Sequence, residues 1–296
     1  MKRSITRLLV CLIMVGPPAS TVSTAIDYVD QLAANLEPTR TVVYKTVDDR
    51  ELRLFIFDPP GFSASDKRPV FLTFHGGGWG GFEPRRQYPF ATYFARLGLV
   101  GISVEYRLSR PDSGTTVFDC VRDARSAVRF LRKHANQLGV DPDRIVAQGN
   151  SAGAHLAVGT ALFDGVDEPG EDLTISSRPD ALVLFSPVLD TSPDGYGQAM
   201  IGERWRVLSP LHRVRSGLPP TVIFHGTEDT VTPLAGSTSF CEAMLRAENS
   251  CELIPLEGAA HGELMRTPLL FNEALREVGL FLLSAGFVVN QQSLKQ

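Results

Sequence analysis

The stretch 146–156 reads VAQGNSAGAHL and sets Ser151 between Gly149 and Gly153, where β-type residues give way to a helical pattern. In a G-x-S-x-G turn of this kind a sharp strand-to-helix reversal holds the serine hydroxyl clear of its own backbone. Glycines flank it because a Cβ there would collide with the neighbouring strand and helix. A serine hydroxyl is a poor nucleophile at neutral pH. It needs a neutral imidazole to take its proton as it attacks, and a carboxylate to fix the imidazole tautomer and support the imidazolium that forms. Two later loops supply those groups: HGTEDTVTP at 225–233 carries Asp229, and EGAAHG at 257–262 carries His261. The chain order Ser151, Asp229, His261 suits a nucleophile, an acid and a base on three loops that each leave a strand.

A fourth loop, HGGGW at 75–79, puts three consecutive glycines after a β-type run. Backbone N–H groups there can face a cavity with no side chain in the way, which a developing oxyanion requires. The expected donors are the amides of Gly77 and Gly78, joined by that of Ala152. A phosphate loop would want a following Lys-Ser/Thr pair or G-x-G-x-x-G spacing, and neither is present. The other histidines have plainer readings. His75 and His225 end strands beside glycine and read as structural hydrogen-bonders, His155 lies one turn into the helix after Ser151, and His134 and His212 read as surface or loop residues. For the acid, Glu228 would point away from the site, and Asp190 is the rival candidate.

These loops need a scaffold that brings distant strand ends to one rim. Residues 41–47 and 51–57 read as a hairpin around Asp48-Asp49-Arg50. Beyond Pro59-Pro60-Gly61, β-type runs at 70–74, 99–105, 144–148, 181–185, 221–224 and 251–255 alternate with helical patterns at 86–97, 116–138, 151–163 and 233–248, and a last helix at 269–285 follows. In the second helix Val117, Val121, Ala124, Val128, Leu131, Ala135 and Leu138 recur at three- and four-residue steps and form one apolar face. Such alternation predicts an α/β fold with a mostly parallel sheet covered on both faces, whose active site gathers at the carboxyl ends of the strands. The segments 164–179 and 187–219 read as loop insertions, the second positioned to cover part of a pocket. Residues 290–296 read as a polar tail.

The chain has 296 residues, 21% of them charged, and a formal net charge of −4. Residues 1–25 read as a secretory signal peptide: Lys2, Arg3 and Arg7, then the apolar run 8–15, a Gly-Pro-Pro break and the small residues Ser23 and Ala25. That run is too short to span a bilayer. The expectation is therefore a secreted or periplasmic protein with one catalytic domain at 26–296 and no stable membrane insertion after cleavage. Without the leader the chain is more acidic still and lacks a long Lys/Arg tract, which argues against nucleic acid or an anionic membrane as partner. Export permits disulfides. Cys241 lies about two turns before the end of its helix, and Cys251 opens the strand returning beside it. Seven residues down at roughly 1.5 Å and three up at roughly 3.3 Å bring them to similar heights, so a Cys241–Cys251 bridge is expected. Cys120 reads as an unpaired core residue.

HGGGW, EYRL at 105–108, GNSAGAHLA and HGTED with the later histidine together resemble the α/β-hydrolase fold. More narrowly, they are similar to esterases related to hormone-sensitive lipase and to the bifunctional feruloyl/acetyl-xylan esterases. The likeness runs over roughly 41–285. It implies an eight-stranded sheet, a serine acyl-enzyme and no metal or organic cofactor. Two departures from the lipase branch, a short segment before the first strand and G-N-S-A-G in place of G-D-S-A-G, point to the compact branch without a large cap domain. Substrate selection is then expected in loops near Trp79, Phe82, Tyr106 and the Leu264-Met265 pair, with a small-molecule or carbohydrate ester of small acyl groups as substrate. Two other readings share parts of this pattern. A prolyl-oligopeptidase-like serine peptidase has the same triad order but usually lacks HGGGW and carries a propeller. A non-catalytic hydrolase-fold binding protein typically loses the serine or the histidine.

Overall fold

Residues that alternate in and out along one strand can bury both sides only if helices cover both faces, and the chain folds in that way. The computed structural model describes residues 26–288; the leader at 1–25 and the tail at 290–296 lie outside them. A short helix α1 (Tyr28–Ala33) precedes the hairpin strands β1 (Arg40–Val47) and β2 (Arg50–Phe57). Then come β3 (Arg68–Phe74), α2 (Tyr88–Arg96), β4 (Val100–Val104), α3 (Val117–Lys133), α4 (Ala135–Leu138), β5 (Val140–Asn150), α5 (Ala152–Leu162) and β6 (Ala181–Phe185). The chain closes with α6 (Gln198–Ile201), β7 (Thr221–Gly226), α7 (Leu234–Arg246), β8 (Cys251–Leu256), α8 (Glu263–Arg266) and α9 (Pro268–Ser284).

The eight strands form one sheet in the order β1-β2-β4-β3-β5-β6-β7-β8. β1 and β2 pair antiparallel, as does β2 with β4, and all other neighbours are parallel. The two-residue period decides which core each side chain enters. Along β3, Val70, Leu72 and Phe74 enter the core under α3 and α5, whereas Phe71 enters the opposite core with Phe90 and Phe94 of α2 and Leu275 of α9. The central strands are apolar on both faces because both are covered.

α3 opens on a capping box in which Thr116 and Asp119 satisfy each other's backbone donors, and the seven-residue apolar stripe, five residues on α3 and two on α4, is buried as the spacing predicts. The continuous helix expected over 116–138 breaks at His134 (φ −108°, ψ 17°), where α4 begins. α5 is buried on every side, so it carries no polar face at all. β5 starts at Val140, four residues before its β-type run, because Arg68 pairs with Val140 and draws Asp141-Pro142-Asp143 into the strand. Cys241 and Cys251 form a disulfide with their Cα atoms 5.5 Å apart. Closing so short a loop contributes about 3 kcal/mol through the unfolded chain. Cys120 is a buried free thiol, and burial raises its pKa. Among the described residues no helix is long and apolar enough to cross a membrane.

Candidate active site

β5 ends at Asn150 and α5 begins at Ala152, so Ser151 alone makes the turn between them, with φ 54° and ψ −119°. That conformation is strained for a residue with a side chain and is held by its surroundings. The surroundings explain the glycines: a Cβ on Gly149 would overlap the Gly153 carbonyl, and one on Gly153 would overlap the carbonyl oxygens of Phe74 and His75. Strand, turn and helix therefore approach one another at a distance only glycine permits.

His261 arrives on the loop after β8. Its Nε2 accepts from the Ser151 hydroxyl at 3.0 Å, and its Nδ1–H donates to Asp229 Oδ2 at 2.7 Å. Asp229, on the loop after β7, is buried to 5% exposure and thoroughly bonded. Its Oδ1 accepts the amides of Val231 and Thr232 (2.9 and 2.8 Å), and its Oδ2 also accepts the Thr232 hydroxyl at 3.1 Å. His225 Nε2 lies 3.3 Å from the same oxygen. Burial alone would raise this carboxyl's pKa, but the hydrogen bonds from His225, His261 and Thr232 hold it far below the usual carboxylate range. Asp229 is therefore a fixed anion against the imidazole. Asp190, the rival acid, instead accepts from the Ser192 amide and hydroxyl at 2.9 and 3.0 Å.

The glycine loop after β3 faces the same turn. Gly77 and Gly78 have φ of 101° and 58°, a region that favours glycine. A Cβ on Gly76 would lie 2.9 Å from the Asn150 carbonyl oxygen, so the loop and the serine turn are in contact. Among the described residues no acceptor meets the N–H groups of Gly77, Gly78 or Ala152. Ala152 opens α5, where a first-turn amide has no intrahelical partner.

A cavity of about 270 Å³ opens over Ser151 and His261, lined also by Gly77, Gly78, Phe82, Leu264 and Met265. Two side chains expected near substrate are elsewhere. Trp79 is fully buried and donates from its indole to His155 Nδ1 at 3.2 Å, which makes it packing rather than a substrate contact. Tyr106 is buried too. Its hydroxyl donates to the His75 carbonyl at 2.7 Å and its ring stacks on His75, so the EYRL segment braces the glycine loop from behind. Tyr196, from the 187–219 insertion, lines the cavity, and its hydroxyl would lie 3.1 Å from a Cβ on Gly78. No local pattern in the sequence singles out Tyr196 among the residues of that insertion. His225 and Thr232, which hold the carboxylate, are likewise not among the residues the sequence pattern selects. An acid followed at the third residue by threonine is a recognisable turn-forming signal that could have found Thr232.

His75 and His155 are at most 1% exposed, and burial pushes each imidazole down to about 4 from 6.5. The unfolded chain protonates both below pH 6.5, whereas the folded protein does so only near pH 4, so unfolding takes up protons between those values. Stability is expected to be flat in these groups above pH 7 and to fall by about 3 kcal/mol per imidazole as pH drops from 6.5 to 4. Urea midpoints at pH 7.5 and 4.5 check this. Equal midpoints would contradict it.

A mostly parallel eight-stranded sheet, with a serine on a strand-to-helix turn and an imidazole and carboxylate on the last two strand-end loops, defines the α/β-hydrolase class. The BD-FAE family model matches residues 56–191. The apo form of Thermogutta terrifontis esterase 2 superposes with a TM-score of 0.81 at 41% identity, covering 85% of this chain and 96% of that one. The same esterase with propionate bound gives 0.80 at 40%, with the same coverage. Among curated relatives, a probable isoprenylcysteine alpha-carbonyl methylesterase, ICMEL1 of Arabidopsis thaliana, is 27% identical over 76% of this chain and 51% of its own length. Esterase LipQ of Mycobacterium tuberculosis is 28% identical over 66% and 50%. The chain thus spans about half the length of the curated relatives it matches. It belongs to the α/β-hydrolase serine esterases, of the type that includes the hormone-sensitive-lipase-like and feruloyl esterases.

Proposed function

We propose that the protein hydrolyses carboxylic esters through an acyl-enzyme on Ser151. The observation that carries this reading is the pair of contacts on His261: Nε2 to the Ser151 hydroxyl at 3.0 Å and Nδ1 to Asp229 at 2.7 Å. With its Nδ1–H held by an anion, the imidazole keeps a lone pair on Nε2. Ser151 Oγ attacks the ester carbonyl carbon as His261 Nε2 takes the hydroxyl proton. The carbonyl π pair moves onto oxygen, and that oxyanion accepts from the N–H groups of Gly77, Gly78 and Ala152, each such donor being worth about 3–4 kcal/mol of barrier. Collapse expels the alkoxide, which takes the proton from His261. Water then attacks the acyl-serine by the same route, releasing the acid and returning the proton to Ser151. The peptidase and non-catalytic readings gain no support from relatives named as esterases.

The substrate class follows from the cavity. At about 270 Å³ it lies at the small end of ligand sites and suits a short acyl group. The esterase 2 structure with propionate bound supports the same reading. Carbohydrate esters of the acetyl or feruloyl type fit the resemblance to the feruloyl esterases. Export to the periplasm or medium is part of the proposal: the build of residues 1–25 and the Cys241–Cys251 bridge both favour an oxidising compartment. kcat/KM is expected to be highest for p-nitrophenyl esters of two to four acyl carbons and at least about tenfold lower for the laurate, since longer chains outgrow the pocket. Better turnover of long-chain triglycerides than of the butyrate ester would overturn the short-acyl assignment. Release of acetate from acetylated xylan tests the carbohydrate part.

A further inference from the structure

A second cavity, of about 230 Å³, adjoins the one over Ser151 and His261. Tyr196 lines both, and the chain passes from one lining to the other at Ser186–Pro187 and again at Val231–Thr232. Tyr196 and these two crossings form the ridge between the cavities. Val231 on the first and Asp194 and Ala235 on the second are exposed, so both open to solvent beside that ridge. Tyr196 is held in place by the Trp79 ring, 5.8 Å away between centroids, and by the bond from its amide to the Asp190 carbonyl at 2.9 Å.

Gly236 keeps the second cavity clear. It is the third residue of α7, its φ is not positive, and the nearest atom to a Cβ placed on it is Asp190 Cβ at 4.0 Å. Neither its conformation nor a close approach calls for glycine, which weakens a helix relative to alanine. The other glycine in the lining, Gly195, is required by its backbone, since a Cβ there would overlap the Asp190 carbonyl. What the missing side chain of Gly236 leaves is space in the cavity.

We infer that this cavity is the subsite for the alcohol half of the ester and takes a neutral, hydroxyl-bearing alcohol. The inference rests on the esterase reading above, in which a short acyl group occupies the cavity over Ser151. The alcohol oxygen must lie within reach of His261, which protonates it as it leaves. Thr232, on the wall of the second cavity, has its hydroxyl 3.1 Å from His261 Nδ1, so the subsite lies on the imidazole side. Asp190 and Asp194 are the charged residues of the lining, with no lysine or arginine beside them. An anionic alcohol is repelled there. Hydroxyls donate to carboxylate oxygens in charge-assisted bonds. A quaternary ammonium is ordinarily caged by several aromatic faces, whereas this lining has only Tyr196.

Butyrates that differ only in the alcohol test this. Methyl butyrate puts nothing in the second cavity, methyl 6-O-butyryl-glucopyranoside puts a hydroxylated ring there, and cyclohexylmethyl butyrate a ring of the same size without hydroxyls. The wild-type protein is expected to favour the glucoside ester over the cyclohexylmethyl ester about three- to tenfold in kcat/KM. Gly236→Leu is expected to fill the cavity, lowering kcat/KM on both ring esters relative to methyl butyrate by at least about tenfold. It should melt no lower than the wild type, because leucine is the better helix former. Asp194→Ala, at an exposed position, should bring the glucoside preference to within about twofold of unity. Folded variants that keep the wild-type ratios overturn the subsite and leave the esterase reading standing. A Gly236→Leu protein whose loss grows instead with acyl length on methyl esters overturns the assignment to the alcohol half. Butyrylcholine or cyclohexylmethyl butyrate turned over as fast as the glucoside ester overturns the hydroxyl-bearing class. A wild-type protein inert towards all of these esters overturns the esterase reading, and the subsite with it.

Discussion

Ser151→Ala is expected to fold as the wild type does and to lose on the order of 10⁶-fold in kcat on p-nitrophenyl acetate. The substitution deletes one oxygen whose bond is the 3.0 Å contact with His261, and the residue is not in the core. Alanine must adopt the same φ of 54°, but serine already bears a Cβ there, so no new clash arises. The melting temperature should move by no more than a few degrees. Some acceleration over water should survive, because the amides of Gly77, Gly78 and Ala152 still polarise the bound carbonyl. A folded alanine variant with a tenth of normal turnover would mean that another group attacks the ester.

Asp229→Asn is expected to lower kcat by about 10⁴-fold with little change in KM. The asparagine can keep the amides of Val231 and Thr232 on its oxygen, as Asp229 Oδ1 does at 2.9 and 2.8 Å. Its NH₂ group then faces His261 Nδ1 in place of an acceptor. That inverts the tautomer: the imidazole keeps its proton on Nε2, pointing at Ser151, and has no lone pair with which to take another. The substitution also puts a donor against His225 Nε2, which lies 3.3 Å from Asp229 Oδ2. A loss of stability of about 1–3 kcal/mol should accompany the kinetic loss. Asp190→Asn is the informative partner. Asp190 serves Ser192 and is not bonded to His261, so kcat should fall far less. A reversal of those two results would move the acid to Asp190.

Much of this architecture was legible because it is written in local patterns. The runs at 70–74, 181–185 and 221–224 fall inside observed strands, since strands buried on both faces must be apolar throughout. The stripe on α3 follows helical spacing, and the bridge between Cys241 and Cys251 follows from the rise of a helix against that of a strand. The convergence of the Ser151, Asp229 and His261 loops could be expected because strand ends of a parallel sheet share one edge. What stayed hidden depends on contacts between distant segments. Trp79 looked like a pocket residue because it follows the glycine loop, yet a positive φ of 61° turns its ring into the core against His155. Tyr196 reaches the cavity through an irregular insertion with no periodicity to read. α1 and α8 are each under two turns long, too short to leave a periodic signal, and α1 is tied down from afar by Arg86.

Inactivation with a fluorophosphonate, followed by mass mapping of the modified peptide, tests the chemistry most directly. The reagent needs a serine oxygen activated by a neighbouring base and an oxyanion pocket beside it, the three things this site brings together. Activity should vanish in step with one adduct per chain, and that adduct should sit on Ser151. Full inactivation with Ser151 unmodified, or an active protein carrying the adduct there, would contradict the account.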